Sequence, residues 1–324
     1  MFAEQNVTHQ QIKVFAEGRV NLPADEAKRH RDQVNALRTR LEAKIATNPD
    51  FGLVKMLHAG SVAKGTALRT VNDLDVAVYV ESASAPPKDP DLVPWLADRL
   101  AEASPSMDRE QFEEGEHCVT VNFRGTGLNV DVVPVLYEGD PDDRGYLVRK
   151  RTGDRILTSI PLHLDFVRSR RKEYGANFTQ LIRISKWWKR TMLATDPTFR
   201  FKSFMLELLW AHLADGGLDM TDYVVGLERF FTHIVKTELS GRVAFSDYVA
   251  AADFPPSSSA PIEILDPVNP ENNVASRYSD ADRVRIVDAA QDALSAIGEA
   301  RFAAAKSHAV DCWTSILGSS FGAS

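Results

Sequence analysis

Asp73 and Asp75 stand two residues apart at the head of the apolar run Leu74 to Val80. A third carboxylate, Asp131, sits inside a second apolar run, LNVDVVPVL. Residues i and i+2 of a strand point to the same face, so the first two carboxylates are expected side by side. Two like charges so close disfavour each other's ionisation unless a cation compensates them. Hard divalent cations such as Mg²⁺ take oxygen ligands from one or two carboxylates together with substrate phosphates. A neighbouring strand can bring Asp131 beside the pair. Three carboxylates so placed can hold two metal ions about 4 Å apart, which suits in-line phosphoryl transfer. Taken singly, each has a plainer reading: Asp73 capping a turn, Asp131 marking a strand end.

The residues upstream shift the balance. Gly60 and Ser61 come about a dozen residues before the carboxylates. A glycine lets a backbone N–H approach a phosphate closely, and a serine hydroxyl can donate to it. Lys64, Gly65 and Thr66 add a cation and a second tight turn. A lone Gly-Ser is weak, but the set is specific: Gly-Ser, Lys-Gly-Thr, Asp-x-Asp on a strand, then a distant strand Asp. His58, just before the motif, reads as a packed residue. Cys118 and Cys312 are far apart and make neither a metal spacing nor a disulfide framework, so a reducing cytoplasm is expected.

Elements to position these groups are legible. Ala24 to Ile45 lacks Pro and Gly, and Val34, Leu37, Leu41 and Ile45 recur at helical steps, which predicts a long amphipathic helix ended by Asn48-Pro49. Leu74 to Val80 alternates and is β-branched, a strand. Val119 to Phe123 and Leu128 to Leu136 flank the turn Arg124 to Gly127, with a helix from Pro90 to Ala103 before them. A second hairpin is expected from Tyr146 to Thr158. After Pro161 the character changes: 162–174, 178–193, 202–213, 222–239 and 280–306 all read as helices, and Asp253 to Pro261 as a Pro/Ser-rich loop. The expectation is an α+β chain, with a mixed domain over residues 1–160 and a helical domain over 161–324.

The formal net charge of −7 excludes a basic nucleic-acid binder overall. Yet eight basic and two acidic residues lie between His163 and Arg190, either a solvated helix face or a site for polyanions. No apolar stretch approaches the length of a membrane span, and the polar N-terminus lacks the layout of a signal peptide.

GSVAKGT followed by DLD resembles the signature of the DNA polymerase β-like nucleotidyltransferases. Its form is similar to that of the 2′-5′ oligoadenylate synthetases and their bacterial relatives. The likeness continues through NFTQLIRISKWWKR, FKSFMLELL and DPVNPENNV. Within this group the chain most resembles the cGAS/DncV-like nucleotidyltransferases of CBASS anti-phage operons, clade C, on FAEGRVNLP, GTALRTVNDLDVAVYV, TSIPLHLDF and FRFKSFMLELL. The resemblance implies a polymerase β-like sheet domain followed by helices that close the nucleotide site. It implies two Mg²⁺ ions, with Mn²⁺ as a substitute, on Asp73, Asp75 and Asp131, and a catalytic role for all three. It implies nucleotide contacts from Gly60, Ser61, Lys64, Lys186, Ser203 and Phe204. Without it, Lys186 reads as a surface lysine, Ser203 as a helix cap and Phe204 as core; Asn272 and Asn273 either read a base edge or shape a loop.

The implied activity is condensation of ATP into a cyclic oligonucleotide, cyclic tri-AMP, with release of pyrophosphate. The implied partners are a HORMA-domain activator with a TRIP13-like ATPase as off-switch, and double-stranded DNA. Two other readings compete. One is an enzyme that makes linear 2′-5′ oligoadenylate or transfers a nucleotide to RNA or protein. The other is a binding module for DNA or peptide that kept the fold; it predicts a damaged carboxylate triad, whereas all three carboxylates are present.

Overall fold

The computed structural model describes residues 6–47, 52–70 and 73–322. The chain forms two compact units, one spanning Leu22–Asp165 and one joining the N-terminal segment up to Asn21 to the chain from Phe166 onward. The division expected at 160/161 had left the N-terminal segment with the sheet. It groups with the helices because its short helix α1 (His9–Phe15) is apolar on one side. Ile12 and Phe15 are fully buried, and the Phe15 ring meets Trp187 and Phe321 edge-on. Asn21 and Gln180 exchange two side-chain hydrogen bonds of 2.9 Å.

In the first unit, helix α2 (Ala24–Thr47) buries Val34, Leu37 and Leu41, the periodic residues of its sequence. Its expected terminator, Asn48-Pro49, lies outside the described residues. There follow β1 (Leu53–His58), the short α3 (Gly60–Lys64), β2 (Asp73–Glu81), α4 (Leu92–Ala103), β3 (Phe112–Glu114), β4 (Val119–Phe123), β5 (Leu128–Tyr137), β6 (Gly145–Val148) and β7 (Arg155–Thr158). They make one sheet in the order β1-β2-β5-β4-β3, with β6 pairing β5 and β7. Strands β2 and β5 run parallel, and the other pairs antiparallel.

Strand alternation divides the labour between the two faces. Leu74, Val76, Val78 and Val80 of β2, with Val130 and Val132 of β5, join α2 and α4 residues such as Leu37 and Leu96 in one core. The opposite face carries Ala77, Tyr79 and Val135 in a smaller cluster, and beyond them the polar ends of the same two strands. Because one face is anchored in apolar packing, the register of β2 cannot slip by one residue without burying Asp75.

The second unit begins inside α5 (Ile160–Tyr174), followed by α6 (Ala176–Thr195), α7 (Ser203–Asp215), α8 (Tyr223–Thr237), α9 (Asp280–Phe302), α10 (Lys306–Leu317) and α11 (Ser319–Gly322). The helix expected over 280–306 ends at Phe302, and after the break at Ala303–Ala305 a further helix, α10, runs through a stretch for which no element was expected. Neither Pro nor Gly marks that break, so composition carried no sign of it. The core is aromatic: Trp188 meets Phe199, Phe201 and Phe231 edge-on, and Trp210 stacks on Phe230 while donating to Ser185. Among the described residues, no helix is long and apolar enough to cross a membrane.

The basic stretch 163–190 is not one face. Of its eight cations, Arg168, Arg171, Lys172 and Arg190 are exposed. Arg170 is 6% exposed and holds Asp215 and Asp247 at once, with its guanidinium 3.8 Å from the centre of the Phe166 ring. An Arg170→Met variant leaves two facing carboxylates without their cation. Because both are partly solvated, the expected loss is about 2–3 kcal/mol, below the roughly 3–5 kcal/mol that breaking a fully buried pair costs. Chemical denaturation of the two proteins measures it.

Candidate active site

Asp75 and Asp131 are Cα partners on the parallel pair β2–β5, so their side chains leave the sheet on the same face. Asp73 sits two residues earlier on β2, opposite Asn129, and shares that face. Asp73 is exposed, while Asp75 and Asp131 are half-buried. The carboxylates therefore occupy the polar end of the sheet face that α2 and α4 do not cover. Thr120, paired with Asp131 across β4, donates its hydroxyl to Asp131 Oδ1 at 2.6 Å. A hydroxyl so close to a carboxylate makes a strong, charge-assisted bond that fixes the carboxylate's rotamer.

The Gly-Ser motif comes against this group from β1. The Ala59 N–H donates to the carbonyl of Asp75 at 2.8 Å, and the chain turns at once into α3. Gly60 has φ +63°, and a Cβ there would lie 1.7 Å from Asp75 Oδ2. The glycine is thus required twice, by its left-handed backbone and by the carboxylate lying over it. Gly65, at φ 70°, ends α3, and the Thr66 N–H donates to the Ser61 carbonyl while its side chain is fully buried. The loop holds Ser61 and Lys64, both half-buried, next to the β2 carboxylates.

Two residues of this neighbourhood escaped the sequence reading. Thr120 is one; an alternating strand gave no reason to single it out. Cys118 is the other. Burial pushes its thiol up to about 11, and the negative charge of Asp131 and then Asp75 adds to this, against a Thr120 hydrogen bond. It is a neutral thiol that reports the negative field of the site. His58 is, as expected, a packed residue: its Nε2 meets Asn35 Oδ1 at 3.1 Å, and burial lowers its pKa.

The remaining candidates belong to the helical unit. Lys186 is 4% exposed and paired with the equally buried Glu207 at 2.6 Å, so it is no surface lysine. One helical turn on, Lys189 donates to Ser203 Oγ at 2.8 Å. Burial, with Lys186 adding to it, pulls the Lys189 amine below its ordinary value. Ser203 is the first residue of α7 and makes no cap; Lys202 holds the cap position. Phe204 is half-buried rather than core. Trp188 is core, and Trp187 donates to the Leu317 carbonyl. Asn273 accepts from the N–H groups of Ile264 and Ala275 and donates to the Ile262 carbonyl. Asn272 reaches buried Asp266, whose Oδ1 accepts from the Val268 N–H. The DPVNPENNV segment therefore shapes a loop.

No family model matches the chain. Curated relatives do. The chain is 45% identical over 317 residues to a cyclic AMP-AMP-AMP synthase of Escherichia coli strain MS 115-1, covering 98% of each. It is 30% identical over 325 residues to the CBASS oligonucleotide cyclase CdnC of E. coli strain KTE188, covering 97% of this chain and 98% of that one. Among solved structures it is similar to CdnC of E. coli MS115-1 with ATP, at a TM-score of 0.91 and 45% identity over 98% of this chain and 99% of that one. The CdnC:HORMA-deltaN complex from the same strain gives 0.90, also at 45% identity, over 98% of each chain.

Proposed function

The chain belongs to the CBASS oligonucleotide cyclases, the CD-NTases, and on that premise we propose that it condenses three ATP molecules into cyclic tri-AMP and releases three pyrophosphates. One observation supports this above the others. Asp75 and Asp131 stand in register on parallel neighbours, with Asp73 on the same face and Gly60 pressed against Asp75. The donor set is all oxygen, and it lies beside a loop whose glycine leaves no room for a side chain. Both features fit a hard cation that carries a triphosphate. Asp73, Asp75 and Asp131 would hold two Mg²⁺ ions, or Mn²⁺ in their place. When bound, these supply neutralisation of phosphate charge and ease loss of the attacking hydroxyl's proton.

The chain's own residues do the rest. The Ser61 hydroxyl and the backbone at Gly60 bind donor phosphate oxygens, and Lys64 adds a positive charge. Asp131 orients the attacking ribose hydroxyl and accepts its proton, and Thr120 holds the Asp131 carboxylate still. On the helical unit, Lys186, Ser203 and Phe204 are nucleotide-binding residues on the strength of the family resemblance. The pairing of Lys186 with Glu207 leaves Lys189 as the cation that Ser203 presents, and we add it to the phosphate contacts. ATP and a HORMA-domain protein are the partners, supported by the two CdnC structures. The linear-product reading loses the Asn272–Asn273 segment, whose side chains are engaged in their own loop. A role for double-stranded DNA rests on a basic stretch of which half is exposed.

Incubation with labelled ATP and Mg²⁺, with and without the operon's HORMA protein, tests this. Phosphatase treatment and mass spectrometry are expected to leave a resistant product at the mass of three AMP units less three waters. An Asp73→Asn/Asp75→Asn double variant is expected to lack it. A phosphatase-sensitive ladder would overturn the cyclase reading.

Thr120→Val keeps the shape of the side chain and removes the donor to Asp131. A hydrogen bond to a charged group contributes about 1.5–3 kcal/mol. The expected result is a fall in kcat of about tenfold or more with KM for ATP little changed, and recovery in Thr120→Ser. Pyrophosphate release is the readout.

A further inference from the structure

Glu299 of α9 and His308 and Cys312 of α10 meet beside the Ala303–Ala305 break, and they share no residue with the site described above. A carboxylate oxygen, an imidazole nitrogen and the Cys312 sulfur lie within 4.8 Å of one another, with Cys312 Sγ 4.0 Å from Glu299 Oε2. The arrangement follows from the local fold. His308 and Cys312 are four residues apart on one helix and so share a face. Ala309, Cys312, Trp313 and Ile316 are buried, as are Ile297 and Ala300 of α9, which sets that face towards Glu299. The Asn6 side chain donates to the Ala303 carbonyl and ties the connection down. Sequence spacing between the two cysteines gave no metal pattern; the pattern is His-x-x-x-Cys on α10 with a carboxylate from the neighbouring helix.

We propose that Glu299, His308 and Cys312 form a binding site for a divalent transition metal of the Zn²⁺ class. The mixed sulfur, nitrogen and oxygen donor set is what Zn²⁺ takes, and hard cations such as Mg²⁺ favour oxygen alone. The ligand bond lengths of a tetrahedral zinc site place its donor atoms roughly 3.3–3.8 Å apart. The three side chains must draw in by about 1 Å. Glu299 and His308, both exposed, can do so by rotation while buried Cys312 stays put. Three protein ligands leave a fourth position for water. Binding takes the proton from the Cys312 thiol and joins α9 to α10 across a connection that otherwise has three residues.

Co²⁺ is the probe, added to the untagged full-length protein. A thiolate bound to Co²⁺ gives a charge-transfer band in the near ultraviolet that carboxylate sites do not give. The chain has two cysteines, so any such band belongs to Cys118 or Cys312. The band is expected to saturate at one Co²⁺ per chain, to survive Cys118→Ser and to vanish in Cys312→Ser. His308→Ala and Glu299→Gln, substitutions at exposed positions that the fold tolerates, are each expected to weaken Co²⁺ binding about tenfold or more. Zn²⁺ is expected to bleach the band and to raise Tm in the wild type and not in Cys312→Ser. No band, a band that persists in Cys312→Ser, or one indifferent to both His308→Ala and Glu299→Gln would overturn the proposal. None of these outcomes depends on nucleotide turnover.

Discussion

A Gly60→Ala enzyme is expected to lose at least about a hundredfold in pyrophosphate release while remaining folded. The added Cβ would stand 1.7 Å from Asp75 Oδ2, 2.4 Å from its Cγ and 2.7 Å from its Cβ, so one of the two must move. Asp75 is on a strand locked into the sheet core by Val76 and Val78, and the backbone of β2 cannot yield. Either the Asp75 carboxylate rotates away or the Gly-Ser turn lifts from it. A displacement of about 1 Å at reacting groups is enough for a hundredfold effect. The φ of +63° adds a backbone cost of about 1–2 kcal/mol for alanine. Thermal denaturation should therefore show a modest drop beside the large kinetic one. In an Asp75→Ala background the two closest contacts disappear while the one to Cβ at 2.7 Å remains, so the stability cost of Gly60→Ala should shrink but stay above the backbone part. Near wild-type turnover in Gly60→Ala would mean that Asp75 does its work in some other position.

Asp131→Asn is expected to reduce turnover about a thousandfold or more with no measurable change in stability. On the proposed mechanism, the substitution removes a negative charge from the face proposed to hold the metal ions, and with it the group proposed to accept the hydroxyl proton. General base catalysis alone supplies about a hundredfold to ten-thousandfold. The amide oxygen can still accept from Thr120, which keeps the side chain where it was. Coincident melting curves with lost activity would identify a chemical role; a large loss of stability would point to a structural one.

Much of this site could be read from residue order, for reasons that belong to particular residues. The Asp-x-Asp spacing on an alternating strand was enough to set Asp73 and Asp75 on one face, because strand periodicity is local. The placing of Asp131 was less local. Strands β2 and β5 are not consecutive, and their parallel pairing depends on the crossover through α4. Resemblance to a family carried that step, and the register then put Asp131 beside Asp75. Thr120 could not have been found, since its importance comes from lying across from Asp131. The role proposed for Lys189 was hidden likewise, because only the fold shows that Glu207 pairs with Lys186 and Ser203 with Lys189. The N-terminal helix is absent from the expectations although Thr8 and Gln11 form a capping box at its start; it is only seven residues long, and packing of Ile12 and Phe15 must support so short a helix.

Binding of Mn²⁺ tests most directly whether three carboxylates and the Gly-Ser turn make one metal–nucleotide site, and it needs no turnover. Electron paramagnetic resonance would count the Mn²⁺ bound in the presence of a non-hydrolysable ATP analogue, in the wild type and in Asp73→Asn/Asp75→Asn. Saturable, nucleotide-dependent binding approaching two ions per chain is expected in the wild type, weakened about a hundredfold or more in the double variant. Equal binding by both proteins would contradict it.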